Sequence, residues 1–123
     1  MKISIASDHG GYVLKEAVKK HLIEKGYEVK DFGTDSLASC DYPDFGKPAA
    51  EAVANGEVDK GILICTTGIG MSMLANKIKG IRAALCADTV SAGARLSGRY
   101  EEPQTVLAGN PAIVVRRGIK REL

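Results

Sequence analysis

Cysteine, histidine, charge of one sign and long apolar runs are all scarce in this chain, and each scarcity removes a class of function. The three cysteines, Cys40, Cys65 and Cys86, form no Cys-x-x-Cys pair, and two histidines give no ligand cluster for a metal. Free thiols of this kind fit a reduced, cytoplasmic setting. No charged segment followed by a long apolar stretch opens the sequence, and no run approaches the roughly 18 apolar residues that span a bilayer. A soluble, unprocessed protein is expected. With 17 basic against 15 acidic residues there is no electrostatic case for a nucleic-acid or membrane partner. Residues 1–97 carry 12 of each sign, so the excess lies in 98–123, with 5 basic against 3 acidic. Arg116, Arg117, Lys120 and Arg121 there can meet a phosphate or an acidic partner, although a short basic terminus is more often simply solvated. Repeats, low-complexity tracts and interdomain linkers are lacking too, and 123 residues suffice for one ordinary core, so residues 1–123 are read as a single domain.

What is present is an alternation of strand and helix signals. Lys2 to Ser7 is β-rich; Val13 to Lys25 carries Leu14, Ala17, Val18 and Leu22 at helical spacing, with His21 along that stripe as a partly buried packing residue, and Gly26 ends it. Tyr27 to Phe32 reads as a second strand. A helix beginning near Pro43 continues through Pro48 to Asn55, and Lys60 to Cys65 is the third strand. Ile69 to Ile78 reads as a helix, Ile81 to Cys86 as a strand, Thr89 to Ser97 as a helix and Val106 to Ala108 as a fifth strand, leaving Ala112 to Val115 an apolar element of open type. This order predicts an α/β fold: a three-layer α/β/α sandwich around a mostly parallel, Rossmann-like or flavodoxin-like sheet of about five strands. Ligands of such sheets bind at the C-terminal strand ends, where the strand order reverses. Asp8 and His9 follow the first strand and Cys65 to Gly70 the third; if those strands are neighbours, the residues share one crevice.

The stretch Gly61-Ile62-Leu63-Ile64-Cys65-Thr66-Thr67-Gly68-Ile69-Gly70-Met71-Ser72 concentrates the chemistry, as an apolar strand opening into a glycine-bearing turn and then a helix. Backbone N–H groups converge in such a turn, and a helix N-terminus attracts negative charge, which suits both a phosphate and a thiolate. A buried cysteine packed as a small hydrophobe is the alternative reading of Cys65. No Walker lysine follows the turn.

Several separated segments together resemble the ribose-5-phosphate isomerase B family, which includes the galactose-6-phosphate isomerase subunits. They are Ser7-Asp8-His9-Gly10-Gly11, Asp31-Phe32-Gly33-Thr34, Asp41-Tyr42-Pro43-Asp44-Phe45, Cys65 to Ser72, and Ala75 to Cys86, and the resemblance covers roughly residues 1–97. It implies a cofactor-independent aldose–ketose isomerase acting on a sugar phosphate, as a homodimer or tetramer. Such a reaction removes a proton beside a carbonyl, stabilises an enediolate and returns the proton to the neighbouring carbon, so one base can serve both steps. Cys65 matches the family's catalytic cysteine. Thr67 matches its turn threonine, which can donate its hydroxyl or orient the cysteine, while a helix cap accounts for the same residue equally well. The amides of Thr66, Thr67, Gly68, Ile69 and Gly70 are placed to hold the enediolate oxygen. Asp8 and His9 match the family's Asp-His pair, which contacts sugar hydroxyls and phosphate; a turn cap and an exposed histidine are the structural alternative. Tyr42 matches the substrate-pocket tyrosine. Asn76 and Arg82 match family positions but read better as structural residues, and Cys40 and Cys86 have no assigned task.

The chain also departs from the family. Thr66 replaces the usual glycine. Where the family has a His-Asn segment for sugar-ring opening, this chain has Ser97-Gly98-Arg99-Tyr100-Glu101-Glu102-Pro103-Gln104, and Ala108-Gly109-Asn110-Pro111 stands where a strand ends in a phosphate-binding arginine. The family's long C-terminal helix lies beyond the equivalent of Leu123, so residues 98–123 read as an atypical, truncated tail. These departures keep other readings open: a galactose-6-phosphate isomerase subunit, a catalytically impaired sugar-phosphate-binding member, or, least favoured, a redox-sensing cysteine protein.

Overall fold

Strand and helix boundaries follow the hydrophobic pattern closely. The computed structural model describes residues 1–86 and, as backbone, 112–117. Strand β1 is Lys2–Ser7, helix α1 Tyr12–Glu24, β2 Glu28–Asp31, α2 Tyr42–Ala54, β3 Lys60–Ile64, α3 Ile69–Asn76, β4 Ile81–Cys86 and β5 Ala112–Arg117. The helix expected at Thr89 to Ser97 and the strand expected at Val106 to Ala108 lie outside the described residues, as do Lys120 and Arg121.

The five strands form one sheet in the order β2-β1-β3-β5-β4. β1 pairs in parallel with both β2 and β3, so the first and third strands are neighbours and their C-terminal ends lie side by side. β5 runs antiparallel between β3 and β4, which leaves four of the five strands pointing the same way. The short apolar segment around Ala112 to Val115 is thus a central strand. Its reversed direction sets the backbone of Arg116 beside Lys60, at the opposite end of β3 from Cys65. Four residues along a strand is about 13 Å, so Arg116 and Arg117 are not at the crevice end of the sheet.

Alternation along the strands builds two cores. Ile3, Ile5, Ile62 and Ile64 pack against Val18 and Leu22 of α1 on one face. On the other, Ala6 and Leu63 meet Ala49, Ala50 and Val53 of α2 and Met71 and Ala75 of α3. Each fully buried Ile or Leu contributes about 1.5–3 kcal/mol. The alanine-rich face of α2 lets the helix approach closely enough for Ser4 Oγ to donate to the Ala49 carbonyl at 3.0 Å. Between α2 and α3 the contact is tighter still: a Cβ on Gly46 would lie 2.7 Å from Leu74 Cδ2. Pro48 removes one helical hydrogen bond without ending α2.

The face of α1 differs from its hydrophobic pattern. Ala17 and His21 are exposed, while Lys15 is completely buried. Positions 15, 18 and 22 follow the i, i+3, i+7 stripe that faces the sheet, and His21 falls one step off it. Asn76, on α3, has the structural role expected of it. Its side-chain amide donates to the Ala83 carbonyl at 3.0 Å and accepts from the Ala83 N–H at 3.0 Å, which occupies backbone groups of β4, the last strand of the described sheet.

Candidate active site

The crevice forms where β1 and β3 end together. Past β1, the Asp8 N–H still donates to the Ile64 carbonyl at 3.2 Å, which brings Asp8 beside Cys65. Asp8 Oδ1 accepts from the Gly11 N–H at 2.8 Å and caps the short 3-10 turn His9–Gly11. The capping role is therefore real, and it uses one carboxylate oxygen only. His9 is half-buried, and its Nδ1 accepts from the Cys40 N–H at 3.3 Å.

Past β3 the chain turns sharply into α3. Gly68 has φ +76° and ψ −15°, a left-handed conformation that glycine adopts without strain. This turn aims the Gly68 N–H back at Cys65 Sγ, 2.9 Å away. Cys65 is 5% exposed. The hydroxyl of Thr67 accepts from the Ile69 N–H at 3.3 Å, a local turn bond that leaves its own proton free to be donated; the N-cap of α3 is Gly68, not Thr67 as the capping alternative had it. Ile69 has an exposed side chain, and only its backbone belongs to the turn.

Two glycines let the walls close. A Cβ at Gly10 would collide with Thr66 Oγ1, so the threonine hydroxyl at the end of β3 fits against the turn after β1 only because position 10 has no side chain. A Cβ at Gly70 would lie 2.9 Å from Tyr42 Cζ; the tyrosine ring, at the start of α2, lies flush on the first turn of α3. The structure thus brings Asp8, His9, Tyr42, Cys65, Thr66, Thr67, Gly68, Ile69 and Gly70 to the same end of the sheet.

A charged network braces the crevice from the α1 side. Lys15 Nζ lies 2.7 Å from Asp31 Oδ2 and 3.1 Å from Glu16; Lys19 Nζ lies 2.9 Å from the same Asp31 oxygen. The other Asp31 oxygen accepts from the Gly33 N–H at 2.8 Å. Gly33 in turn accepts from the Ser7 N–H at 2.7 Å, and the Thr34 N–H donates to Ser7 at 3.0 Å, so the network reaches the residue before Asp8. Burial opposes ionisation of Asp31, but hydrogen bonds from Lys15, Lys19 and Gly33 outweigh it and hold the carboxyl below its ordinary range. The hydrogen bond to Asp31 leads in raising the affinity of Lys19 for its proton.

Sequence reasoning missed Lys15 and Cys40. The signal for Lys15 was its place on the buried stripe together with an acidic residue closing β2. For Cys40, 31 residues from His9, there was no local signal.

An α/β sandwich whose strand-end crevice joins a thiol, helix N-terminal amides, a carboxylate and an imidazole defines a class, the doubly wound proteins that handle a small polar molecule at the sheet's switch point. Residues 3–103 match the family model described as Ribose/Galactose Isomerase, and the chain belongs to this family of sugar-phosphate isomerases. Ribose-5-phosphate isomerase B of Escherichia coli is 45% identical over 112 residues, which cover 91% of this chain and 74% of the relative. Galactose-6-phosphate isomerase subunit LacB of Clostridium acetobutylicum is 44% identical over 109 residues, covering 89% of this chain and 62% of the subunit. Among solved structures, ribose-5-phosphate isomerase B of Clostridium thermocellum superposes with a TM-score of 0.75 at 56% identity, over 77% of this chain and 65% of that one. The chain therefore spans between 61% and 74% of the length of the ribose-5-phosphate isomerases it resembles. No helix among the described residues is long and apolar enough to cross a membrane.

Proposed function

We propose that this chain interconverts ribose 5-phosphate and ribulose 5-phosphate through an enediolate, with Cys65 as the base. The observation that carries the reading is the Gly68 N–H aimed at Cys65 Sγ at the N-terminus of α3. A donor so placed stabilises a thiolate, and the start of the helix adds to it.

In the forward direction the thiolate takes the proton from C2 of the open-chain aldose. The electron pair moves to the C1–C2 bond and the carbonyl O1 becomes the enediolate oxygen. The amides of Thr66, Thr67 and Gly70 are its donors, as an oxyanion requires, since the N–H groups of Gly68 and Ile69 are held by Cys65 Sγ and Thr67 Oγ1. The resulting thiol returns the proton to C1, the O2 proton passes to O1, and the C2 carbonyl forms. Thr67 keeps a hydroxyl proton for that oxygen-to-oxygen step. Asp8 has a carboxylate oxygen not used by its cap for a sugar hydroxyl, and Tyr42 closes the pocket against Gly70.

We further read the active species as a cytoplasmic homodimer. Ile69 and Met73, one turn apart on α3, are 54% and 56% exposed beside the crevice, an apolar pair that a second copy would cover. Sedimentation of the purified chain tests this point.

Incubation with ribose 5-phosphate in heavy water is expected to exchange the C2 hydrogen, and Cys65→Ala to abolish that exchange. Full exchange in the variant would remove Cys65 as the base. Turnover of galactose 6-phosphate instead would move the chain to the other branch of the family, and calorimetric binding without turnover would make it a sugar-phosphate-binding member.

A further inference from the structure

Cys40 lies in the connection between β2 and α2 and takes no part in the chemistry described above. Its backbone nitrogen is nonetheless 3.3 Å from His9 Nδ1, and its Sγ is 3.9 Å from the same ring nitrogen. A peptide N–H can only donate, so Nδ1 must present its lone pair. A neutral imidazole has one proton, and with Nδ1 accepting, that proton sits on Nε2. The thiol can donate weakly to the same lone pair, but as a weak acceptor it would tolerate the other tautomer too, so the peptide N–H decides. Among the described residues nothing else hydrogen-bonds the His9 ring, and the residue is half-buried, so Nε2–H is the ring's one uncommitted donor.

We infer that Cys40 is a positioning residue. Its peptide N–H selects the Nε2–H tautomer of the neutral His9 ring, so that the histidine meets its ligand as a hydrogen-bond donor to an acceptor oxygen. The identity of that ligand, a phosphate or carbonyl oxygen of a sugar phosphate, rests on the proposed isomerase reading; the tautomer does not. The arrangement ties a residue 31 positions away to the turn after β1. The rim segment carrying Cys40 and the turn carrying His9 belong to different strand ends, and this hydrogen bond fixes one against the other. It also orients the ring in advance of binding, which lowers the ordering cost when ligand arrives.

The direct test is nitrogen NMR of the whole chain labelled on its histidine rings, at a pH where both imidazoles are neutral. Only His9 and His21 contribute, and the His9→Gln spectrum assigns them. His9 is expected to show a protonated Nε2 and an unprotonated Nδ1, whereas exposed His21 should show tautomer-averaged signals. Cys40→Ala keeps the peptide N–H and is expected to leave the His9 signature unchanged. A protonated Nδ1, an averaged His9 like His21, or loss of the signature in Cys40→Ala would each overturn the assignment. Kinetics supply a second reading: His9→Asn keeps an acceptor near Nδ1 but has no distal donor, and should raise KM about 10- to 100-fold with a smaller change in kcat, while His9→Gln, which restores a distal N–H, should recover most of that loss. Equal KM values for the two variants would count against the donor role. A chain inactive on every sugar phosphate would sink the isomerase reading while leaving the ring signature standing.

Discussion

Asp31→Asn and Lys15→Met remove the two halves of one ion pair, and the structure makes their costs unequal. The Lys15 ammonium is buried, with its side chain 1% exposed, and it faces Asp31 at 2.7 Å and Glu16 at 3.1 Å. Replacing Asp31 with its neutral amide leaves that charge out of water with the Tyr12 ring 5.5 Å away and one anionic partner, Glu16, a neighbour in sequence whose side chain is 39% exposed. An uncompensated buried charge costs about 3–5 kcal/mol; the surviving Glu16 offsets part, so about 2–3 kcal/mol is expected. Lys15→Met removes the buried charge itself and keeps the apolar stem. Asp31 then retains Lys19 at 2.9 Å and the Gly33 N–H at 2.8 Å, and its side chain is a quarter exposed, so the cost should fall to about 1 kcal/mol or less. Urea denaturation at neutral pH, compared at constant slope, measures both. Equal losses, or a larger loss for Lys15→Met, would refute the view that the desolvated ammonium governs this site.

Four further outcomes follow from the same structure. The folded Asp31 carboxyl is held below its ordinary range, as is that of Glu16, led by its hydrogen bond with Lys15. Their contribution is therefore fully present above the unfolded carboxylate value of about 4 and lost as pH falls through the lower folded value. Urea midpoints measured from pH 6 to 3 should decline less in Asp31→Asn than in the parent. Lys19 is shifted upward by Asp31, so its contribution persists below the unfolded lysine value and disappears as pH rises through the folded one; Lys19→Met should flatten that alkaline limb. Gly70→Ala forces a Cβ to 2.9 Å from the Tyr42 ring, and should cost about 1–3 kcal/mol of stability with a raised KM in steady-state assays. Asn76→Ala deletes the paired bonds to Ala83 and one to the Ser72 carbonyl; because the side chain is exposed, a loss of about 1–2 kcal/mol in thermal or urea unfolding is expected.

Much of the architecture was legible because local pattern and tertiary environment agree. Lys2–Ser7 and Ile81–Cys86 are strands at the expected residues, and the three described helices start within a residue or two of their signals. The site turn was legible too, since Cys65 ends an apolar run and Gly68 stands where the backbone must turn left-handed. Helix faces were less so. Leu14, Ala17, Val18 and Leu22 fit helical spacing, and Val18 and Leu22 are buried, yet the third buried position is Lys15, and Ala17 and His21 face solvent. A lysine can occupy that stripe only because Asp31, brought over by β1–β2 pairing, neutralises it.

From its residues alone the chain specified alternating strands and helices, a thiol at a strand end, and a backbone turn able to cradle an anion, because each depends on neighbours within a few positions. Tertiary structure alone decided that β1 and β3 are adjacent, that an antiparallel β5 fills the space between β3 and β4, and that Cys40 meets His9. Those facts depend on which distant segments satisfy one another's hydrogen bonds and bury one another's faces, a choice that no short stretch of sequence encodes.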